Sequence, residues 1–252
     1  MSVSPRWSYV QARLQARHGD RLPDADWRVL EATRSLDQFI ERARGTSLRR
    51  FGERVNAGMS SHAIERSLRA AWRDYVAEVS SWAPAEWQPA ILWTAHLPDL
   101  PVIDALLRGA TPAWAQQDPV LIVFLESERR ALDRSPLAAL LPARDRPVTL
   151  AGRWFAHWRA LWPRGSNQAP LMKLAELVEA HVARLACAGP QDASASYRRE
   201  LAHSVARMFR RHGGAPIAVF CHLALVALDL DRLRGGLARR RLFEPARAQE
   251  AA

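Results

Sequence analysis

Ile64, Leu68, Trp72, Tyr75 and Val79 follow one another at steps of 4, 4, 3 and 4 residues, the spacing that lays one apolar stripe along an α-helix. Ser60 or Ser61 stands where the N-cap of that helix belongs. The same period recurs elsewhere. "SLDQ", Ser35 to Gln38, has the form of a capping box leading into Phe39, Ile40 and Ala43. Trp154, Trp158 and Trp162 repeat every fourth residue and end at Pro163, and Leu171, Leu174, Leu177, Val178 and Val182 mark another helix closed by "AGPQDAS". The run from Pro216 to Arg234 predicts a last strong helix, stopped by Gly235 and Gly236. Strand-like alternation is nearly absent, and "PVLIVFLE" after Asp118 reads as buried helix. The expected fold is all-α.

Breaks at "WAPAEWQP", "RGATPAWAQQDP", "RSPLAALLPARDRP" and "WPRGSNQAP" are too short to link independent domains. One body over 1–252 is expected, with possible lobes at 1–110, 111–168 and 169–245 and a disordered tail at 246–252. "HLPDLPVIDALLRG", residues 96 to 109, carries its own punctuation: Asp99 as N-cap, Pro101 in the first turn, Arg108 in the last and Gly109 as the stop. "DLPVIDALLRGA" from Asp99 is echoed by "LVALDLDRLRGGL" from Leu225, which suggests a repeated helical unit.

Charge narrows the choice of partner. The formal net charge is +10, the pI is near 11.0, and Lys173 is the sole lysine among 36 basic residues. Such a surface favours nucleic acid, an anionic membrane face or acidic protein subunits. "ARMFRRHGG" from Ala206 and "RLRGGLARRRLF" from Arg232 are the densest basic runs. Cys187 and Cys221 form no C-x-x-C pair, so buried thiols in a reducing compartment are expected. The N-terminus lacks the apolar core of a signal peptide, and Pro216 to Leu228 is too short to span a bilayer, which needs ~20 residues. The expected location is the cytoplasm, or its membrane face.

Catalytic motifs do not emerge. There is no phosphate loop, no strand-anchored G-x-G-x-x-G, no H-E-x-x-H and no G-x-S-x-G turn, and the histidines lack metal-ligand spacing. Neither a cofactor nor a metal is expected. The Trp154/Trp158/Trp162 stripe, flanked by Arg153, Arg159 and Arg164, has two readings: a base-stacking platform or a core seam, and the spacing favours the seam.

Three places together resemble one family, the C subunits of archaeal-type and bacterial V-type rotary ATPases, called d in the eukaryotic vacuolar pump. "SYVQARLQAR" is similar to the family's opening helix through Tyr9, Ala12, Arg13, Leu14 and Ala16. The second place is matched by Asp99, Ile103, Leu106, Leu107 and Arg108, with Val102 and Asp104 where the family carries Asn and Lys. The third, the closing helix, is matched by Pro216, Phe220, Leu233 and Arg234; Asp229 and Asp231 are the only acids where the family carries Glu. The matches keep the family's order, cover both ends and one internal segment, and leave about 110–167 unmatched in a chain shorter than is usual. The resemblance implies a non-catalytic, all-α funnel of three similar helical units about a pseudo-threefold axis. Such a funnel would sit on the inner membrane face, between the proteolipid rotor ring and the central shaft whose foot enters its cavity. It also implies interface roles for Tyr9, Arg13, Asp99, Arg108, Arg234, Arg239, Arg240 and Arg241. Arg108 would hold helix-end carbonyls or an acid near the cavity, and Arg239 to Arg241 would face the membrane. The alternative expectation is an Arg-rich helical nucleic-acid-binding protein.

Overall fold

The computed structural model describes residues 5–110, 112–125, 129–142, 148–187 and 193–250. Every regular element among them is helical. The α-helices are α1 (Pro5–Gly19), α2 (Asp24–Ala32), α3 (Leu36–Arg44), α4 (Arg49–Gly52), α5 (Ser61–Trp82), α6 (Gln88–Trp93), α7 (Leu100–Leu107), α8 (Arg129–Asp133), α9 (Leu150–Ala160), α10 (Ala169–Cys187), α11 (Ala193–Arg211) and α12 (Pro216–Glu250).

The amphipathic stripe that begins at Ile64 becomes α5. Ser60 caps it, its hydroxyl accepting from the Ala63 amide at 3.2 Å, and Ile64, Leu68, Trp72, Tyr75 and Val79 are all buried. α12 is the spine, ~52 Å long at 1.5 Å per residue, and it packs against α11, α5, α1, α3 and α10. The first and third expected lobes therefore share a core. Eight of the ten tryptophans are buried, and those of α9 form a seam. Trp158 stands edge-on to Phe220 at 5.1 Å and to Trp162 at 4.9 Å, while the Trp93 indole donates to the Trp154 carbonyl at 3.1 Å. A stripe closed in this way offers no face on which bases could stack.

Several expectations fail for local reasons. Gly235 and Gly236 do not stop α12, which runs on to Glu250; Gly236 faces Phe39 so closely that a Cβ there would lie 2.5 Å from its ring. Gly109, in contrast, does end its helix, at φ +94, a left-handed conformation that glycine adopts freely. The Leu-Arg-Gly echo thus joins a helix stop to a helix interior. The tail is helical in backbone through Glu250, and residues 251 and 252 lie outside the described residues. Ser35 takes the N-cap position of α3, but its side chain makes no capping bond. Among the described residues after Asp118, the stretch expected as buried helix forms the short 3-10 turn Ile122–Phe124, and none of its three residues is buried; Glu126 lies outside the described residues. One described stretch, Ala85–Leu107, is long and apolar enough to cross a membrane by length and composition; it is cut into short helical pieces, with Pro89, Pro98 and Pro101 at or near the joints.

Candidate docking cleft

The chain folds back so that the α1–α2 turn, α2, α11 and the middle of α12 wall an open cleft of about 930 Å³. Its apolar lining comes from Leu22, Trp27, Ala202, Ala206 and Leu228, and Gly235 adds bare backbone with nothing within 4 Å of where a Cβ would sit. Ion pairs between distant elements set the walls. Arg21 grips Asp229 with two bonds, Nε to Oδ2 at 2.7 Å and Nη2 to Oδ1 at 2.9 Å. Burial pushes the Asp229 carboxyl above its ordinary value, and Arg21 works against that shift. Arg232 lies 4.6 Å over the Trp27 ring and donates to Glu31 at 2.6 and 3.0 Å and to Asp24 at 3.0 Å. Burial opposes its charge, yet those two carboxylates hold the guanidinium above its usual value. Arg198 pairs with Asp231 at 2.8 Å. Once these pairs are formed, Arg28 on α2, Arg199 on α11 and Arg239 on α12 remain as exposed lining cations with no acid partner among the described residues.

A second polar cluster lies away from the cleft and is buried. Arg69 of α5 donates from Nη2 to Asp118 Oδ2 at 3.0 Å and lies 3.2 Å from Asp99 Oδ1; Arg73 donates to the two Asp99 oxygens at 3.2 and 3.3 Å. Asp99 and Asp118 are fully buried. Burial alone would raise Asp118, but the Val120 amide, Arg69 and Arg73 outweigh it and hold the carboxyl below its ordinary value. The cluster pins the 3-10 segment Thr94–Asp99 and the Asp118 loop to α5.

The expected interface residues are dispersed. Arg234 and Arg239 line the cleft, Arg234 paired with Glu65 at 2.7 Å and Arg239 donating to the Glu31 carbonyl at 3.3 Å. Arg240 is buried at 3.9 Å from the Phe39 ring; it donates to the carbonyls of Thr33 at 2.8 Å, Glu31 at 2.8 Å and Gly236 at 2.7 Å. It serves the C-terminal end of α2, where helix carbonyls lack partners, so its guanidinium is turned into the fold. Arg241 donates to the Ala57 carbonyl at 3.3 Å. Tyr9 is exposed on α1, and Arg13 lies 4.8 Å over the Trp82 ring. Asp99 takes the N-cap position of α7 but makes no capping bond: the preceding 3-10 turn runs straight into α7, and its carboxylate turns inward to the arginines. Arg108 is 73% exposed and pairs with Asp104 on its own helix at 3.0 Å, away from the cleft. His96 is half-buried, edge-on to Trp93 at 5.3 Å.

Arg21, Trp27, Arg28 and Arg199 carry no signal in the sequence because the cleft they line joins segments as far apart as Arg21 and Asp229. Arg69 has a local one: it interrupts the apolar face between Leu68 and Trp72. Cys221 is buried, which pushes its thiol up to about 12 and leaves it inert; the Cys187 side chain lies outside the described residues. No group of acids, histidines or cysteines suited to a metal occurs among the described residues. No family model, curated protein or solved structure matches the chain.

Proposed function

We propose that this chain is a non-catalytic adaptor of a V/A-type rotary ATPase, linking the membrane rotor ring to the central shaft. The observation that carries this reading is the cleft: about 930 Å³ of open space with apolar lining, braced walls and three lining cations, Arg28, Arg199 and Arg239, without acid partners among the described residues. It has the chemistry of a socket for the acidic foot of a shaft, because fixed positive charge steers an acidic partner into register. The ordered likeness of Tyr9–Ala16, Asp99–Arg108 and Pro216–Arg234 to the adaptor family adds to it. In this reading α1–α7, α8–α9 and α10–α12 stand for the three units of the family's funnel. Torque transmission asks for a stiff body, and the Arg69–Asp99–Asp118–Arg73 cluster and the tryptophan seam supply stiffness.

The test is recovery of the tagged protein from its own membranes in mild detergent, with nuclease treatment and mass spectrometry. A proteolipid ring and central-stalk subunits are expected, and Arg28→Glu with Arg199→Glu should lower recovery of the stalk subunits selectively. Absence of ring and stalk subunits overturns the reading. The second reading, nucleic-acid binding, draws on the exposed arginines along α11; it is favoured if every partner is lost on nuclease treatment and duplex affinity falls steeply with salt.

A further inference from the structure

Positive charge without internal acid partners gathers where α11 ends. Arg207, Arg210 and Arg211 are exposed there, and Lys173 is exposed near the start of α10. Among the described residues none of the four makes an ion pair, and Arg207 donates only to the Ser204 hydroxyl of its own helix, at 3.3 Å. His212 reports how closely the charges gather. Its imidazole is held below the ordinary value by partial burial, then by Arg211 and by Lys173, which reach one ring from two different helices. Arg210 depresses His18 of α1 in the same direction, after burial and Arg21. The turn behind the patch is fixed, because the Gly214 amide donates to Gln11 Oε1 at 2.9 Å.

Compensation of a helix dipole accounts for only part of this. Arg210 and Arg211 oppose the negative end of α11, but Lys173 lies toward the positive end of α10, where a cation is disfavoured. Next to Lys173, Met172 is exposed. Clustered cations with no acid partner beside an exposed flexible apolar side chain match a surface of phosphates over hydrocarbon. We propose that the C-terminal end of α11, with Met172 and Lys173 of α10, docks on the anionic headgroups of a membrane. Nucleic acid fits less well, since the tryptophan stripe that would stack bases is buried and Met172 is what stands open beside the cations. The inference goes beyond the adaptor reading and stands without it. If that reading also holds, the membrane patch and Arg199 in the cleft lie ~18 Å apart along α11, at 1.5 Å per residue.

The experiment is sedimentation of the full chain with phosphatidylcholine vesicles, with and without phosphatidylserine, across a salt series, and with a duplex oligonucleotide as competitor. Binding that requires phosphatidylserine and weakens with salt is expected. Each charge removed should weaken it about fivefold, or ~1 kcal/mol. Arg210→Gln with Arg211→Gln should therefore lose about 25-fold at an unchanged unfolding midpoint, and the Arg→Lys pair should retain binding, because headgroups read charge. Equal binding to both vesicle types overturns the proposal, as does full affinity in the Gln pair. Displacement by the duplex at lower concentration than phosphatidylserine overturns it in favour of nucleic acid. The detergent pull-down reports on the adaptor reading separately.

Discussion

In α12 the basic run from Arg232 to Arg241 reaches Asp24, Glu31, Glu65 and the carbonyls of Glu31, Thr33, Gly236 and Ala57. In α11 the side chains of the run from Arg207 to Arg211 make one hydrogen bond among the described residues, to Ser204. As strings of letters both are rich in arginine, with five in the first and three in the second. What separates them is what each helix packs against: α12 runs past α1, α3 and α5, while the end of α11 faces solvent. An arginine-rich run marks an interface only where the fold leaves its charges without internal partners.

The largest effect that could break this comparison lies in the buried cluster, where arginine depends wholly on its acids. Asp99→Ala leaves Arg69 and Arg73 short of a carboxylate in the interior and should cost about 3–5 kcal/mol, read as a shift in the urea midpoint. A loss below about 1 kcal/mol would mean that the cluster is wet and does not brace the fold. Next comes Arg240→Ala, which strips three carbonyls of their donor and uncovers Phe39. About 3 kcal/mol is expected, against less than about 0.5 kcal/mol for Arg210→Gln or Arg211→Gln. Equal costs at the two helices would erase the distinction.

Between the two runs lie histidines that give the comparison a pH axis. His222 is buried and accepts from or donates to the Tyr75 hydroxyl at 2.6 Å, and burial lowers its pKa to about 3 from the ordinary 6.5. The unfolded chain therefore takes up that proton first. Stability is full above pH 6.5 and falls as pH drops from 6.5 toward 3, up to tenfold in the folded ratio per pH unit. His18, His157, His181 and His212 are lowered too and add in the same direction. Asp118, with its pKa held down, gives up its contribution only below pH 3.8. Denaturant titrations at pH 7 and pH 5 should differ by about 2 kcal/mol from His222 alone, and equal midpoints would show that its ring is hydrated.

Period and punctuation make the helices legible. The Ser60 cap, the spacing of the α5 and Trp154/Trp158/Trp162 stripes and the Gly109 stop are all set within a few residues. Asp99 deceives for the opposite reason: an N-cap pattern is local, and the pull of Arg69 and Arg73 is not. The same holds for the cleft. Arg21 and Asp229 meet across most of the chain, so no spacing rule pairs them, and Arg240 looks like its neighbours until α2 is placed beneath it.

Gly235 and Gly236 compress this contrast into adjacent positions on one helix. Both carry the ~1 kcal/mol penalty of glycine in a helix interior relative to alanine. At Gly236 that penalty has a purpose, since a Cβ would stand 2.5 Å from Phe39, a fully buried ring held under Arg240. Gly236→Ala should thus destabilise by about 1 kcal/mol or more as the ring is forced aside. At Gly235 nothing lies within 4 Å, so Gly235→Ala should stabilise by up to ~1 kcal/mol. That position lines the cleft, and bare backbone kept at a cost in stability is useful to a partner that approaches closely. If the cleft is the socket for a shaft, the more stable Gly235→Ala protein should recover less of the shaft than the native chain, and Gly235→Leu less again. A stabilised variant with undiminished recovery would remove the α12 wall from the docking surface.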